Sequence, residues 1–342
     1  MRLPRLIFPG RRTALIAIAA AAIVFVVVGG SAQAKVSGSN GRIAFARFDP
    51  SLDDTVTYTA NPDGSHMQPL LPPGFTSGLP RWSPDGSEVA VGSTLGLDCC
   101  PYSAVIINPD TGNFRTLAMQ DPNVGTFCQI WSPDATRLAC VGDSPEPSSA
   151  RGIYTVRTSD GGGLTRITNA GAGDGVDVLD VPIDYSPDGE QIVFGHIIFS
   201  HASPGHACSA LYVVNVSGGD PQRITPCRFV DDDGSWSPDG TKIVFEHFGS
   251  LYTVHPDGSG LMKISLRTGS ATTAFTAFDA AWSPDGTKLV FSLNTKTSSG
   301  GTQEGIGTAN ADGSNVQVVT VSPTRDHQAD WGPHALIRHS GN

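Results

Sequence analysis

Trp236-Ser237-Pro238-Asp239-Gly240 is the stretch whose reading decides the fold. Pro presets φ at the second position of a tight turn. Asp tolerates the third and can bond its own backbone, and Gly suits the fourth, where φ is often positive. The segment recurs as Trp82-Ser83-Pro84-Asp85-Gly86, Trp131-Ser132-Pro133-Asp134-Ala135, Tyr185-Ser186-Pro187-Asp188-Gly189 and Trp282-Ser283-Pro284-Asp285-Gly286. A degenerate copy, Trp331-Gly332-Pro333-His334, comes near the end. The copies stand roughly 50 residues apart, a period that marks repeat architectures. All five tryptophans of the 342-residue chain lie in this motif.

Each copy opens the same grammar. An apolar strand follows the turn, as in Lys242-Ile243-Val244-Phe245 and Lys288-Leu289-Val290-Phe291. A second strand follows, as in Leu211-Tyr212-Val213-Val214 and Leu251-Tyr252-Thr253-Val254. Next comes an Asp-Gly or Gly-Gly turn, such as Asp63-Gly64, Gly218-Gly219 or Asp312-Gly313. A short last strand closes the unit, as in Gln222-Arg223-Ile224-Thr225. Period-2 runs bounded by Gly, Pro and Asp are strands, and Asp-Gly between two of them is a hairpin turn. Four strands per unit at this period make a propeller blade. The expected fold is all-β: a six-bladed β-propeller of four-stranded antiparallel blades over residues 40–336. The first unit, 42–71, has no Trp motif before it, and the last Trp motif has no strands after it. The two fragments complete one blade, which sets 328–331 beside 41–46 and removes an exposed sheet edge. Trp82, Trp131, Tyr185, Trp236, Trp282 and Trp331 are the structural residues of the repeat, large rings for packing between sheets. Tyr185 in place of Trp and Ala135 in place of Gly predict two locally looser blades.

Composition agrees with many short strands. Gly at 40 and Pro at 25 are high, and charged residues are 16%. The net charge of -10 lacks the clustered basic face of a nucleic-acid binder. Residues 1–34 read as a signal peptide. Arg2, Arg5, Arg11 and Arg12 precede the apolar run Thr13 to Val28, and Ala32-Gln33-Ala34 is a cleavage site. Cleavage is expected after Ala34, leaving 35–39 as a linker and 337–342 as a tail. An uncleaved membrane anchor is the alternative, and Arg11-Arg12 is a loose match to a twin-arginine signal. Export permits disulfides among the six cysteines. Cys208 and Cys227 flank one predicted hairpin, and Cys128 and Cys140 lie symmetrically about another. Adjacent Cys99 and Cys100 cannot easily bond each other.

On the Trp-Ser-Pro-Asp-Gly turn, the Leu-Tyr-x-Val strand, Asp-Gly-Ser and Arg/Lys-Ile-Thr/Ser, the chain resembles the TolB-like, WD40-like (PD40) propeller repeats over residues 40 to 334. The resemblance implies an exported scaffold of the periplasm, cell envelope or exterior whose propeller binds other proteins. Related repeats also occur in prolyl oligopeptidase-type enzymes and some carbohydrate lyases. TolB carries an α/β domain before its propeller, whereas only Lys35 to Asn40 separate the leader from the first strand here. The prolyl oligopeptidases need a hydrolase domain for which the chain leaves no residues.

The chain has no Gly-x-Ser-x-Gly elbow, phosphate loop or dinucleotide fingerprint. The Asp-Gly pairs are turn chemistry, without the spacing of a calcium loop. Carboxylates gather just before the motif aromatics: Asp180 and Asp184, then Asp231, Asp232 and Asp233, then Asp279, then Asp326 and Asp330 with His327. Inner strands start at one mouth of a propeller channel, so these groups could converge there on a partner or a cation, with Asp233 and Asp279 the candidates for metal. Turn capping is the plainer reading. His196, His201, His206 and Cys208 could ligate zinc, but their irregular spacing favours a solvent loop with Cys208 in a disulfide. A second polar loop spans Asn294 to Gln303. Such insertions can form the binding face.

These readings lead to an exported, non-catalytic, monomeric propeller. It would bind a protein or peptide through its rim loops and channel mouth, with no cofactor, no nucleic acid and no membrane contact beyond the leader. The competing readings are a metal-assisted enzyme acting on a glycan or lactone at the channel mouth, and a surface module held by its N-terminal segment.

Overall fold

The computed structural model describes residues 38–92, 102–118, 121, 124–143, 151–170, 176–200, 207–227, 231–268, 275–296 and 302–335. Every element among them is a strand. Blade 1 contains β1 (Ile43–Asp49), β2 (Asp54–Ala60) and β3 (Gln68–Pro69). Blade 2 contains β4 (Gly78–Trp82), β5 (Val89–Gly92), β6 (Tyr102–Ile107) and β7 (Phe114–Ala118). Blade 3 contains β8 (Gly125–Trp131), β9 (Arg137–Asp143), β10 (Gly152–Arg157) and β11 (Thr165–Arg166). Blade 4 contains β12 (Val176–Tyr185), β13 (Gln191–Ser200), β14 (Ala207–Asn215) and β15 (Gln222–Arg223). Blade 5 contains β16 (Asp231–Trp236), β17 (Ile243–His247), β18 (Ser250–Val254) and β19 (Met262–Lys263). Blade 6 contains β20 (Phe275–Trp282), β21 (Lys288–Lys296), β22 (Thr302–Asn310) and β23 (Gln317–Ser322).

The last strand, β24 (Asp326–Trp331), returns to blade 1, where the sheet order is β24-β1-β2-β3. Trp331 pairs with Ile43 and Asp326 with Arg47, so the chain ends close one antiparallel blade. The other five sheets are antiparallel and follow chain order from the inner strand to the outer. The inner strands β24, β4, β8, β12, β16 and β20 contact one another in sequence and complete the ring.

Alternation along each second strand explains the packing. Val244 and Phe245 are neighbours on β17, and their side chains point to opposite faces. Val244 joins a cluster with Trp282 and Phe291 of blade 6, and Phe245 joins one with Ile183 and Val193 of blade 4. Strands covered on both faces read as continuous apolar runs. Each junction between neighbouring blades holds one such cluster, and each contains the motif aromatic of the later blade: Trp82, Trp131, Tyr185, Trp236, Trp282 or Trp331.

The motif turn builds the same network each time. Ser237 Oγ donates to Asp239 Oδ1 at 2.6 Å and accepts from Lys242 N at 2.9 Å, while Asp239 Oδ1 accepts from Thr241 N at 3.0 Å. Those bonds to Ser237 and the following residues hold the Asp239 carboxyl below the usual carboxylate range, although partial burial opposes them. The fourth turn position is left-handed in all five complete copies, at φ 72° for Gly240 and 58° for Ala135. In the degenerate copy Gly332 stands where Ser is usual. A Cβ there would lie 2.2 Å from the Trp82 indole.

The structure joins Cys128 to Cys140, directly paired across β8 and β9, and joins Cys208 to Cys227. Two stretches read as loops are partly strand. His196 lies on β13 and Cys208 on β14, because the apolar and β-branched run through Phe199 continues the sheet. Asn294 likewise lies on β21 and Gln303 on β22, paired through Thr295. The leader 1–34, Cys99, Cys100, His201, His206 and the tail 337–342 lie outside the described residues.

Candidate functional site

The candidate carboxylates sit on the inner strands, and each of these strands carries a register shift just before its motif aromatic. The shift is a β-bulge, which bends a strand and re-aims its side chains. In three blades the residue at the bulge has a left-handed backbone: Leu79 at φ 53°, Asp279 at 52° and Gln328 at 59°. The carboxylates therefore occupy three levels along the inner strands instead of one ring.

At the outermost level lie Asp180 and Asp326, 3% and 0% exposed. Asp326 receives Arg47 Nε at 2.6 Å and a second guanidinium nitrogen at 2.7 Å, and Thr320 Oγ1 of the preceding blade donates at 2.6 Å. This pairing raises the Arg47 pKa above its ordinary value. Asp180 repeats the arrangement. Thr168 Oγ1 of the preceding blade donates at 2.6 Å, and His196 Nδ1 lies 2.7 Å away. Each carboxylate thus binds the outer end of one blade to the inner strand of the next.

The middle level belongs to Asp279. Its Oδ2 accepts from Ser292 Oγ at 2.9 Å and from Gln328 N at 3.0 Å in the next blade. Gln328 Oε1 in turn accepts from Leu79 N of the blade after that, at 3.2 Å. Three bulges are linked in series. At the innermost level Asp330 Oδ2 accepts from Trp82 N at 2.9 Å, and Asp184 Oδ2 accepts from Trp236 N at 2.8 Å. Asp184 and Asp330 have no exposed surface.

His327 follows Asp326 on β24. Burial pushes its imidazole pKa down, and the Asp279 carboxylate pushes it partly back. Asp231, Asp232 and Asp233 open β16; the register places Asp231 opposite His247 and Asp232 opposite Glu246. Among the described residues there is no group of three or more His, Cys, Asp or Glu placed to hold a metal ion.

The two rims differ. One carries the motif turns and the second hairpin turns, short and of repeated sequence, with Asp85, Asp134, Asp188, Asp239 and Asp285 exposed on it. The other carries the connections between second and third strands and those between blades. Counted between strand ends, these vary from the two residues Phe248-Gly249 to the eleven residues 264–274. The Asp-Gly turns also reach across blades, a role sequence reasoning missed. A Cβ on Gly64 would lie 2.3 Å from Val319 O of the preceding blade, and one on Gly313 2.5 Å from Ser265 O. The only sequence signal for this was recurrence at the same place in the repeat.

Set against solved structures, the ring is similar to TolB from Acinetobacter baumannii, with a TM-score of 0.61 and 17% identity over 97% of this chain and 75% of that one. The chain has the fold of the TolB propeller. A structure described as a TolB of Agrobacterium tumefaciens gives a TM-score of 0.58 at 17% identity, over 85% of this chain and 92% of that one. An oligogalacturonate lyase in complex with manganese gives 0.50 at 19% identity, over 84% of this chain and 75% of that one. At such identities the likeness is one of fold. An uncharacterised protein of Agrobacterium fabrum is 29% identical over 175 residues, 51% of this chain and 52% of its own length. The chain thus spans about half the length of that curated relative. No family model matches the sequence.

Proposed function

We propose that this protein is an exported binding scaffold that holds a protein or peptide on the rim of variable connections and at the adjoining channel mouth. The asymmetry of the rims carries this reading. One rim repeats a single turn design, whereas the other varies its connections blade by blade, and such connections on a rigid ring commonly form a binding face. The inner-strand carboxylates favour a scaffold over a catalytic centre. Asp180, Asp184, Asp279, Asp326 and Asp330 accept hydrogen bonds that join neighbouring strands and blades. The leader motif at 1–34 supports export, and the TolB neighbours support a propeller platform.

The test is in-cell crosslinking of a C-terminally tagged chain, followed by mass-spectrometric identification of what it captures. The expected result is one or a few specific envelope or secreted proteins, crosslinked through the variable rim. Crosslinks confined to the turn rim, or no specific capture, would refute the scaffold reading.

A further inference from the structure

The outer strands of the six blades are not alike. Four of them, β3, β11, β15 and β19, have two residues each and carry Pro69, Arg166, Arg223 and Lys263 in turn. β7 has five residues and carries Arg115, paired with Glu88. Short length, proline and charge keep a sheet edge from pairing with another strand. β23 of blade 6 has none of them. Gln317-Val318-Val319-Thr320-Val321-Ser322 runs for six residues without charge or proline. It pairs with β22, and its other edge meets no strand among the described residues. One connection reaches the residue before it, where Val316 N donates to Arg267 O at 3.1 Å, but among the described residues none bonds the backbone of 317–322.

The exposed side chains of β23 share a face. Val318 pairs with Gly307 and Val321 with Gly305, and residues two apart on β22 point the same way. In a regular strand, positions 318 and 321 would face oppositely; the register shift at Val319 brings them together. The two glycines supply no side chain to cover the valines, which are 53% and 49% exposed. Phe291 and Leu293 lie opposite the same glycines on β21 and pack toward blade 5, so the valine face turns that way. Leu261 and Met262 are also exposed, on the outer edge of blade 5. Four of the six exposed large hydrophobics among the described residues thus gather on two neighbouring outer edges, a concentration that marks an interaction surface.

Open backbone groups on a sheet edge accept an extended strand. The strand that fits here is uncharged and apolar opposite the valines, and β23 itself meets that description. A two-fold axis between Val319 and Thr320 sets each Val318 opposite the other copy's Val321, with no like charges facing each other.

We propose that two copies of this chain pair antiparallel through β23, joining their sixth blades into one continuous sheet. β23 runs from the turn rim toward the variable rim, so the variable rims of the two copies point in opposite directions. The pairing goes beyond the scaffold reading, does not depend on it, and replaces the monomer expected from sequence.

The test is sedimentation equilibrium of the purified chain over about 1–200 μM, a range suited to an interface smaller than the standard size. The average mass is expected to rise with concentration from one chain toward two. Val318→Lys and Val321→Lys should each weaken association at least about tenfold, because each charges the edge. Both side chains are exposed, so thermal melts of these variants should match the wild type. Phe114→Lys, which charges the exposed Phe of β7 in blade 2, should leave association unchanged. Mixed Val318→Cys and Val321→Cys chains under a mild oxidant should give a disulfide-linked 318–321 peptide, identified by mass spectrometry. The mass of a single chain throughout, dimers that persist in both lysine variants, or a dimerising mixture without the 318–321 link would overturn the proposal.

Discussion

Replacing Gly64 by Ala tests whether the second hairpin turns lock the blades together. Gly64 has φ 80°, and an added Cβ would sit 2.3 Å from Val319 O on β23. The left-handed backbone alone costs a non-glycine residue roughly 1–2 kcal/mol. The stiffer unfolded chain offsets about 0.4–1 kcal/mol of that. The clash is a separate penalty. A backbone carbonyl can yield only if β23 moves, and the next residue, Thr320, is bonded to Asp326. Forced overpacking of this kind costs roughly 1–3 kcal/mol. The total expected for Gly64→Ala is about 2–4 kcal/mol. Gly218 occupies the same place in blade 4 at φ 87°, but its nearest neighbour to an added Cβ is Ile167 O at 3.7 Å, ordinary contact. Gly218→Ala should therefore cost only about 1 kcal/mol. Equilibrium urea unfolding followed by tryptophan fluorescence reads both. Equal losses in the two variants would show that turn conformation alone matters and that contact across the blade boundary contributes nothing.

Other consequences follow from the same geometry. Ala135→Gly relieves a left-handed alanine at φ 58° and should stabilise the ring by about 0.5–1 kcal/mol in the same assay. Asp330→Ala strips the buried Trp82 N–H of its acceptor and should cost roughly 1–3 kcal/mol, whereas Asp330→Asn, which keeps an acceptor oxygen, should cost less. His327 has a pKa lowered by burial, so the unfolded chain binds its proton more readily than the folded one. Stability is then complete above about pH 6.5 and is lost as pH falls toward the lower folded value; His327→Asn should flatten that part of a stability-against-pH curve. Deleting residues after Thr324 removes β24, the inner strand of blade 1, and should abolish the cooperative thermal transition instead of trimming a tail. A deletion that melts like the full chain would contradict ring closure.

The architecture was legible because one turn recurs with a large aromatic attached. Trp82 through Trp331 could be counted, and the unmatched ends predicted the shared blade. The roles of the carboxylates were not legible to the same depth. Asp180, Asp279 and Asp330 all read as acidic residues near a motif, yet their offsets from it place them at different heights. Each level meets a different neighbour: a threonine hydroxyl, a bulged backbone N–H or a tryptophan N–H. Those partners come from adjacent blades, 12 residues away for Asp180, 49 for Asp279 and 248 for Asp330, and no local pattern announces them.

The shared blade also bears on how the protein could be re-engineered. Gly41 N donates to Gly332 O at 3.0 Å, and Arg42 N donates to His334 O at 2.9 Å, so the two ends of the described chain already touch. Bridging them with a short linker would demand little reorganisation. New termini could then be opened within the long connection at 93–101, between β5 and β6. Such a circular permutant would place its ends on the opposite rim, so that a reporter or surface anchor could be attached there while the repeat order around the ring stayed the same.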